Sequence, residues 1–157
     1  MNKQKLILRG GILIVIGIIF LVLAIFDLKK DDNKELEKME KIIIIVNNVD
    51  LEVLMEDNSS AKAFIEKLKN GDITIEAEDY GNFEKVGNLG FSLPTNDKMI
   101  KTEPGDLILY QGDKITLYYD TNTWSFTKLG HINKTKAELK NILGDGSVSM
   151  TFKLNLE

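Results

Sequence analysis

Residues 41–55 of the chain read KIIIIVNNVDLEVLM and carry the clearest fold signal in the sequence. Two runs of aliphatic residues, many of them β-branched, flank the pair Asn47-Asn48, and such runs favour strands. Asparagine tolerates the left-handed backbone angles that a two-residue hairpin turn requires. This stretch therefore predicts a β-hairpin of strands 41–46 and 49–55.

Two short helices are predicted further along the chain. Asn58 or Ser59 can cap the first helix, because its side chain accepts from free backbone N–H groups of the first turn. Thr135 and Glu138 have the spacing of a capping box that opens the second helix, and Gly144 is placed to end it.

The remaining periodic segments indicate a mainly β domain. Strands are predicted at residues 73–80, 107–110, 115–119, 125–132 and 148–154. Residues 81–103 show no clear periodicity. About seven short strands joined mostly by turns, with two helices, favour a closed β-barrel with the helices at its ends.

A long apolar segment precedes this domain. Residues 10–26 carry no charge, and residues 6–26 as a helix would span about 31 Å, the thickness of a hydrocarbon core. No small-x-small cleavage site follows. We therefore expect a retained transmembrane signal-anchor at 1–26, a charged juxtamembrane connector at 27–40 and the domain at 41–157. The positions assigned to the anchor are Gly10, Ile14, Gly17, Leu21 and Phe26.

The charges that flank this segment bear on its orientation. Lys3, Lys5 and Arg9 precede the segment, whereas Lys29 and Lys30 follow it. Because basic residues stay preferentially in the cytoplasm, the excess before the span favours a cytoplasmic N-terminus. We expect a single-pass protein of the cell membrane whose domain lies outside the cytoplasm.

Composition excludes several classes of function. The chain has no cysteine, which rules out disulfides, zinc thiolates and a cysteine nucleophile. Residues 39–157 hold 13 lysines, no arginine and 19 acidic residues, a formal charge of −6. An acidic domain without arginine is a poor binder of phosphate, so nucleic acid is not an expected partner. No phosphate loop, nucleophile elbow or HExxH motif is present, and no cofactor is expected.

Six segments in order resemble the bacterial cyclophilin-like fold family. The match extends over residues 41–154, and the segments that carry it read EDN at 56–58 running into AKAF at 61–64, GNFEK at 81–85, SLP at 92–94, PGDLILY at 104–110, SFTKLGHI at 125–132 and LGDGSV at 143–148. The resemblance implies an eight-stranded barrel closed by two helices, without a defined reaction. Members of the broader superfamily that isomerise prolyl bonds use an active-site arginine. The only arginine here is Arg9, before the apolar segment, which argues against isomerase activity.

Aromatic residues near a polar turn are the best binding candidates. Amphipathic aromatic side chains suit partly wet recognition surfaces. The alternative is that some of them are core residues and that the tryptophan covers an end of the barrel. The candidate ligand-binding residues are Tyr118, Tyr119, Trp124 and Phe126 around residues 120–123, with Phe91 and Leu93 from the aperiodic segment.

Other polar residues are better explained by structure than by chemistry. His131 is the only histidine and lies in an apolar strand, so neither a metal site nor a catalytic base is indicated. Glu76 and Glu78 alternate with apolar residues, as on a solvent-facing strand. Asp120 and Asn122 lack the glycine and terminal glutamate of a calcium loop, which favours a solvated turn. No catalytic residue and no metal ligand is predicted.

Three hypotheses of function follow. The first is a membrane-tethered extracytoplasmic module without catalysis, which binds a peptide, a protein partner or a small apolar molecule near Trp124. The second is an extracytoplasmic foldase with peptidyl-prolyl isomerase activity. The third is a structural subunit of a membrane complex, assembled through the glycine-containing face of the anchor.

Overall fold

The structure is a computed structural model, and it describes residues 40–155. The predicted anchor at 1–26 and all but the last residue of the connector at 27–40 lie outside these residues. Between residues 40 and 155, neither helix has the length and hydropathy needed to span a bilayer.

The predicted hairpin is confirmed. Strands β1 (Lys41–Val46) and β2 (Val49–Met55) pair antiparallel. Asn47 and Asn48 have φ angles of 48° and 62°, so both turn residues adopt the left-handed conformation. This geometry is the one that two-residue hairpins favour, and it explains why asparagine occupies both positions.

The other predicted strands and helices occur in the predicted order, with two further strands between residues 80 and 106. Seven more strands and two helices follow the hairpin: α1 (Ser59–Leu68), β3 (Ile73–Tyr80), β4 (Glu84–Asn88), β5 (Lys98–Lys101), β6 (Asp106–Tyr110), β7 (Lys114–Tyr118), β8 (Thr123–His131), α2 (Lys136–Leu143) and β9 (Val148–Leu154).

The strands form one antiparallel system whose order is β2-β1-β9-β3-β4-β7-β6-β8-β5. Strand β2 also pairs with β8, through Leu54 opposite His131 and Met55 opposite Gly130. Eight strands therefore close into a ring of neighbours, and β5 lies against β8 beside the ring. Gly130 is required at the closure, because a Cβ there would lie 2.7 Å from the Leu54 carbonyl oxygen.

Strand alternation divides the buried side chains into two clusters. Leu107 and Leu109 of β6 join the main core, which also receives Phe64 from α1. Ile108, between those two leucines, belongs to a smaller cluster with Tyr118 and Phe126. Since alternate residues of a strand face opposite sides, the smaller cluster lies on the other face of the sheet from the main core.

Both helix starts are capped as expected. Oδ1 of Asn58 accepts a hydrogen bond from the Ala61 N–H at 2.9 Å, which makes Asn58 the cap of α1. Thr135 and Glu138 form the predicted capping box of α2, and Gly144 ends that helix with a φ of 63°. These contacts satisfy backbone groups that a helix end otherwise leaves without partners.

The aperiodic segment 81–103 contains two strands that the sequence did not reveal. Strand β4 carries Glu84 and Lys85 at buried positions, so its charges hide its strand character. Its two edges pair with β3 and β7. Strand β5 is four residues long and mostly exposed, which gives a pattern too short to identify.

Candidate functional site

An open pocket lies on the outer face of the sheet. Its volume is about 370 Å³, and strands β3, β4, β6, β7 and β8 contribute to its walls. Five of its lining side chains are aromatic. The lining residues are Tyr80, Glu84, Val86, Tyr110, Lys114, Tyr118, Asn122, Trp124 and Phe126.

Aromatic rings beneath the pocket form a continuous series. Tyr118 stacks on Phe83 with ring centroids 6.0 Å apart, and Phe83 meets Tyr80 edge to face at 5.9 Å. Phe126 lies 5.7 Å from Tyr118 and 6.0 Å from Tyr110. Because each ring is held by its neighbour, the pocket presents a preformed aromatic surface rather than independent flexible side chains.

Trp124 and Tyr80 form the exposed rim of this surface. Their side chains are 59% and 62% exposed, whereas Tyr118 and Phe126 are buried. Strand pairing places Trp124 opposite Ile100 of β5, so β5 supports the rim from outside the ring. A large aromatic side chain that stays exposed at the mouth of a pocket is available to contact a ligand.

Glu84 is the acidic group of the pocket. It is only 8% exposed and lies opposite Tyr118 in the pairing of β4 with β7. Burial raises the pKa of the Glu84 carboxyl, and the hydrogen bond with the Tyr118 side chain opposes that rise. Within residues 40–155, Oε2 of Glu84 has no hydrogen-bond partner. A buried carboxyl oxygen of this kind is costly for the free protein.

The Tyr118 hydroxyl links Glu84 to the polar edge of the pocket. Asn122 donates to this hydroxyl over a long 3.5 Å contact. Burial, together with the Glu84 hydrogen bond, raises the pKa of Tyr118, so the phenol remains protonated. The pocket floor therefore combines a carboxyl, a phenol and an amide within an aromatic lining.

Thr116 is a second buried polar group on this face of β7. It lies opposite Val86 in one neighbouring strand and opposite Ile108 in the other. Its hydroxyl has no hydrogen-bond partner in the described part of the chain. Thr116 is not among the lining residues, so it bears on the polarity of this face and not on direct contact.

Lys114 brings one positive charge to the pocket edge, but that charge is already paired. Its Nζ lies 3.0 Å from Asp113 Oδ1 and 3.3 Å from Gln111 Oε1. These contacts hold the ammonium on the turn between β6 and β7. The aliphatic part of the side chain can then cover the apolar wall.

The opposite face of β4 carries a satisfied network. Lys85 is completely buried and donates to Asp79 Oδ2 at 2.9 Å and to the Gly146 carbonyl at 2.6 Å. The Tyr119 hydroxyl donates to the same Asp79 oxygen at 2.8 Å. Burial opposes ionisation of Asp79, but its hydrogen bonds to Lys85 and Tyr119 bring the net pKa below the usual range. This network ties β3, β4 and the segment before β9 together.

The structure brings together three of the six sequence candidates. Tyr118, Trp124 and Phe126 line the pocket. Tyr119 and Leu93 are buried in the main core, and Phe91 packs against that core with the Lys67 ammonium 5.0 Å above its ring. None of these last three residues lines the pocket.

The remaining polar candidates have structural surroundings. Nδ1 of His131 lies 2.8 Å from Asp106 Oδ1, an atom that also accepts from Lys128 at the same distance. Asp120 pairs with Lys136 beside α2. Glu76 and Glu78 are exposed on β3. Among residues 40–155, no group of three or more histidine, aspartate or glutamate side chains is placed to hold a metal.

Sequence reasoning missed Tyr80, Glu84 and Tyr110. Glu84 had no local signal, because its burial depends on the pairing of β4 with β7. Tyr80 and Tyr110 each end a predicted strand, where an aromatic residue is usual. Their common neighbourhood follows from the strand order, which joins β3 to β6 through β4 and β7.

Comparisons with known proteins agree on the fold. The model of the cyclophilin-like family matches residues 44–153, most of the chain. No curated protein sequence matches. The solution structure of the hypothetical protein AF2241 from Archaeoglobus fulgidus is similar, with a TM-score of 0.55, 14% sequence identity, and coverage of 74% of this chain and 95% of that one. At this identity the likeness concerns the fold alone. The chain belongs to the cyclophilin-like family.

Proposed function

We propose that this protein is a binding module that acts without catalysis and takes its ligand in the aromatic pocket. The observation that carries the proposal is the joint occurrence of a preformed aromatic lining and a buried carboxyl oxygen without a partner in residues 40–155. Ligand sites are commonly apolar concavities with a few polar groups that orient the ligand. The pocket volume of about 370 Å³ suits a side chain or a small molecule.

The rim residues support binding over a purely structural role. A structural aromatic cluster gains most by burying its rings, as Tyr118 and Phe126 do. Trp124 and Tyr80 instead keep more than half of their surface exposed at the pocket mouth. A ligand that covers these rings would gain apolar contact that the free domain lacks.

The chain's single tryptophan supplies the test of this proposal. Trp124 emission of the full-length protein in a mild detergent is titrated with pools of peptides and of small apolar molecules. We expect at least one pool to shift the emission, because a bound ligand would replace water around the indole. No shift with any pool, together with no binding in ligand-observed NMR, would remove the pocket as a ligand site.

We further propose that the module is tethered to the cell membrane with its domain outside the cytoplasm. The support is the uncharged segment at 10–26 and the basic residues before it. Protease added to intact spheroplasts should cleave the domain. Protection of the domain until the membrane is permeabilised would contradict this orientation, and release of the chain by salt or carbonate washing would contradict the tether.

A further inference from the structure

Glu84 defines the chemical class of the ligand. We propose that the pocket binds an aliphatic primary ammonium group, such as a lysine side chain or a small alkylamine, with the Glu84 carboxylate as its counter-charge and the aromatic rings around the alkyl stem. This inference rests on the proposed binding function and specifies it further.

Glu84 is buried and is not fully paired within the described residues. A carboxyl that is only 8% exposed loses most of its hydration, and the domain offers its Oε2 no replacement within residues 40–155. Glu84 lines the pocket, so a ligand there can donate a hydrogen bond to this carboxyl. If the donor is cationic and the carboxyl is ionised, both partners carry charge, and such a hydrogen bond is about twice as strong as a neutral one.

The aromatic lining of the pocket also favours a cation. Five aromatic side chains line the pocket, and the faces of such rings attract cations. The same rings also contact the methylene groups of an alkylammonium. An aliphatic cation is therefore attracted by both the Glu84 carboxyl and the aromatic lining. An anion would be repelled by the carboxyl and by the negative faces of the rings.

The other charged groups around the pocket are compatible with an ammonium ligand. Glu84 is the one carboxyl among the described lining residues, and Lys114 is the one ammonium. Lys114 is already paired with Asp113 and Gln111. The other ionisable groups that line the pocket are phenols, namely Tyr118 from β7, Tyr80 from β3 and Tyr110 from β6. Strand β8 adds Trp124 and Phe126, and the residue before it is Asn122; none of these three titrates.

A dependence on pH follows from the same geometry. Burial raises the pKa of Glu84 in the free pocket, so lowering the pH protonates the carboxyl and removes the acceptor charge. An ammonium ligand binds the ionised form. Its affinity should therefore rise with pH, by up to about tenfold per unit below the Glu84 pKa, and become constant above it. A neutral ligand should show no such rise.

The test compares matched ligands on the full-length protein in detergent. Trp124 emission is titrated with n-butylammonium chloride and with 1-butanol, which has the same shape without the charge. Two further arms use the peptide Ac-Gly-Lys-Gly-NH2 and its form acetylated on the lysine amine. We expect each ammonium to bind at least about tenfold more tightly than its neutral match, which corresponds to about 1.4 kcal/mol, because the neutral compound lacks the ionic attraction to Glu84 and the cation–π attraction to the rings.

The Glu84→Gln variant should remove this preference, because the amide keeps the shape but not the charge. Glu76→Gln is the matched control, since it removes a carboxylate from an exposed position of β3 and should leave the preference intact. The pH profile of the unaltered protein tests the same point without a substitution. Tighter binding by the peptide than by n-butylammonium would identify a lysine side chain as the source, and the reverse order would identify a small amine.

Each outcome decides between the two proposals. Equal binding of charged and neutral partners, or an ammonium preference that persists in Glu84→Gln, would overturn the ammonium inference and leave the pocket as a ligand site. If none of the four compounds shifts the Trp124 emission but a compound from the pools does, the ammonium inference is likewise overturned and the pocket remains a ligand site. If neither these compounds nor any pool gives a binding signal in Trp124 emission or in ligand-observed NMR, both proposals are overturned.

Discussion

Glu84 and Lys85 are consecutive residues of β4 and are both almost fully buried, but they differ in the hydrogen-bond partners that the fold provides. Lys85 faces the main core side and donates to Asp79 and to the Gly146 carbonyl. Glu84 faces the aromatic pocket, and its Oε2 has no partner in residues 40–155. A buried charge whose partners are internal holds particular strands together, whereas a buried carboxyl that borders a pocket and is not fully paired is a candidate partner for a ligand.

The largest expected effect is on stability when the internal pair is broken. Lys85→Met leaves the Asp79 carboxylate without its ammonium partner, and such a loss costs about 3 kcal/mol of unfolding free energy. Lys62→Met is the control, because Lys62 forms an exposed pair with Asp57 and should change stability by less than about 0.5 kcal/mol. Urea unfolding measures both. Equal stability of the two variants would show that Lys85 is not a structural group.

Two neighbouring tyrosines differ in the same way, and the expected effects on stability are smaller. Tyr119→Phe removes the hydroxyl that donates to Asp79 at 2.8 Å, and a lost hydrogen bond to a charged group costs about 1.5 kcal/mol. Tyr118→Phe removes the hydroxyl on the pocket side, whose partners are the Glu84 carboxyl, with its raised pKa, and the Asn122 amide at 3.5 Å. We expect a smaller loss there. The order of the two unfolding midpoints checks this, and a larger loss for Tyr118→Phe would contradict it.

The groups on the two faces of β4 should also change the stability of the protein with pH in opposite directions. The pKa of Asp79 is lowered, so Asp79 contributes stability above the ordinary aspartate pKa, and this contribution is lost as the pH falls through the lowered value. The pKa of Glu84 is raised, so ionisation of Glu84 lowers stability as the pH rises from the ordinary glutamate pKa through the raised value.

Paired variants test these signs by urea unfolding between pH 3 and pH 8. Asp79→Asn should lose most relative to the unaltered protein at neutral pH and least at the acid end. Glu84→Gln should equal or exceed the unaltered protein in stability at neutral pH and converge with it in acid. A Glu84→Gln variant that is clearly less stable at neutral pH would show that the carboxylate supports the fold.

The smallest expected effect on stability is at the rim. Trp124→Ala should change the unfolding free energy by less than about 0.5 kcal/mol, because the side chain is 59% exposed. Ligand binding should nevertheless weaken, since the indole is a wall of the pocket mouth. Ligand-observed NMR replaces the lost fluorescence in this variant. Unchanged binding would remove the rim from the site.

Local signals in the sequence were sufficient for much of the fold. The Asn47-Asn48 turn, the Asn58 cap and the Thr135–Glu138 capping box each depend on a few adjacent residues, and the structure confirms all three. Strand β4 has no such signal. Its Lys85 can be buried because Asp79 and Gly146, which are distant in sequence, accept its hydrogen bonds.

The candidate site was predicted in part for the same reason. Tyr118, Trp124 and Phe126 lie close together in sequence, so a local cluster of aromatic residues pointed to them. Tyr119 alternates with Tyr118 along the chain and therefore enters the core on the opposite face. Glu84 reaches the pocket through the register between β4 and β7, which the sequence does not specify.

The most direct test of this account is the titration of the Glu84 side-chain carboxyl by ¹³C NMR, with and without n-butylammonium. We expect the pKa of Glu84 to be raised in the free protein, because burial disfavours the carboxylate, and to fall when the ammonium binds and stabilises the charge. A Glu84 pKa that is ordinary in the free protein, or that does not move at ligand concentrations that saturate Trp124, would contradict the assignment of Glu84 as the ligand's partner.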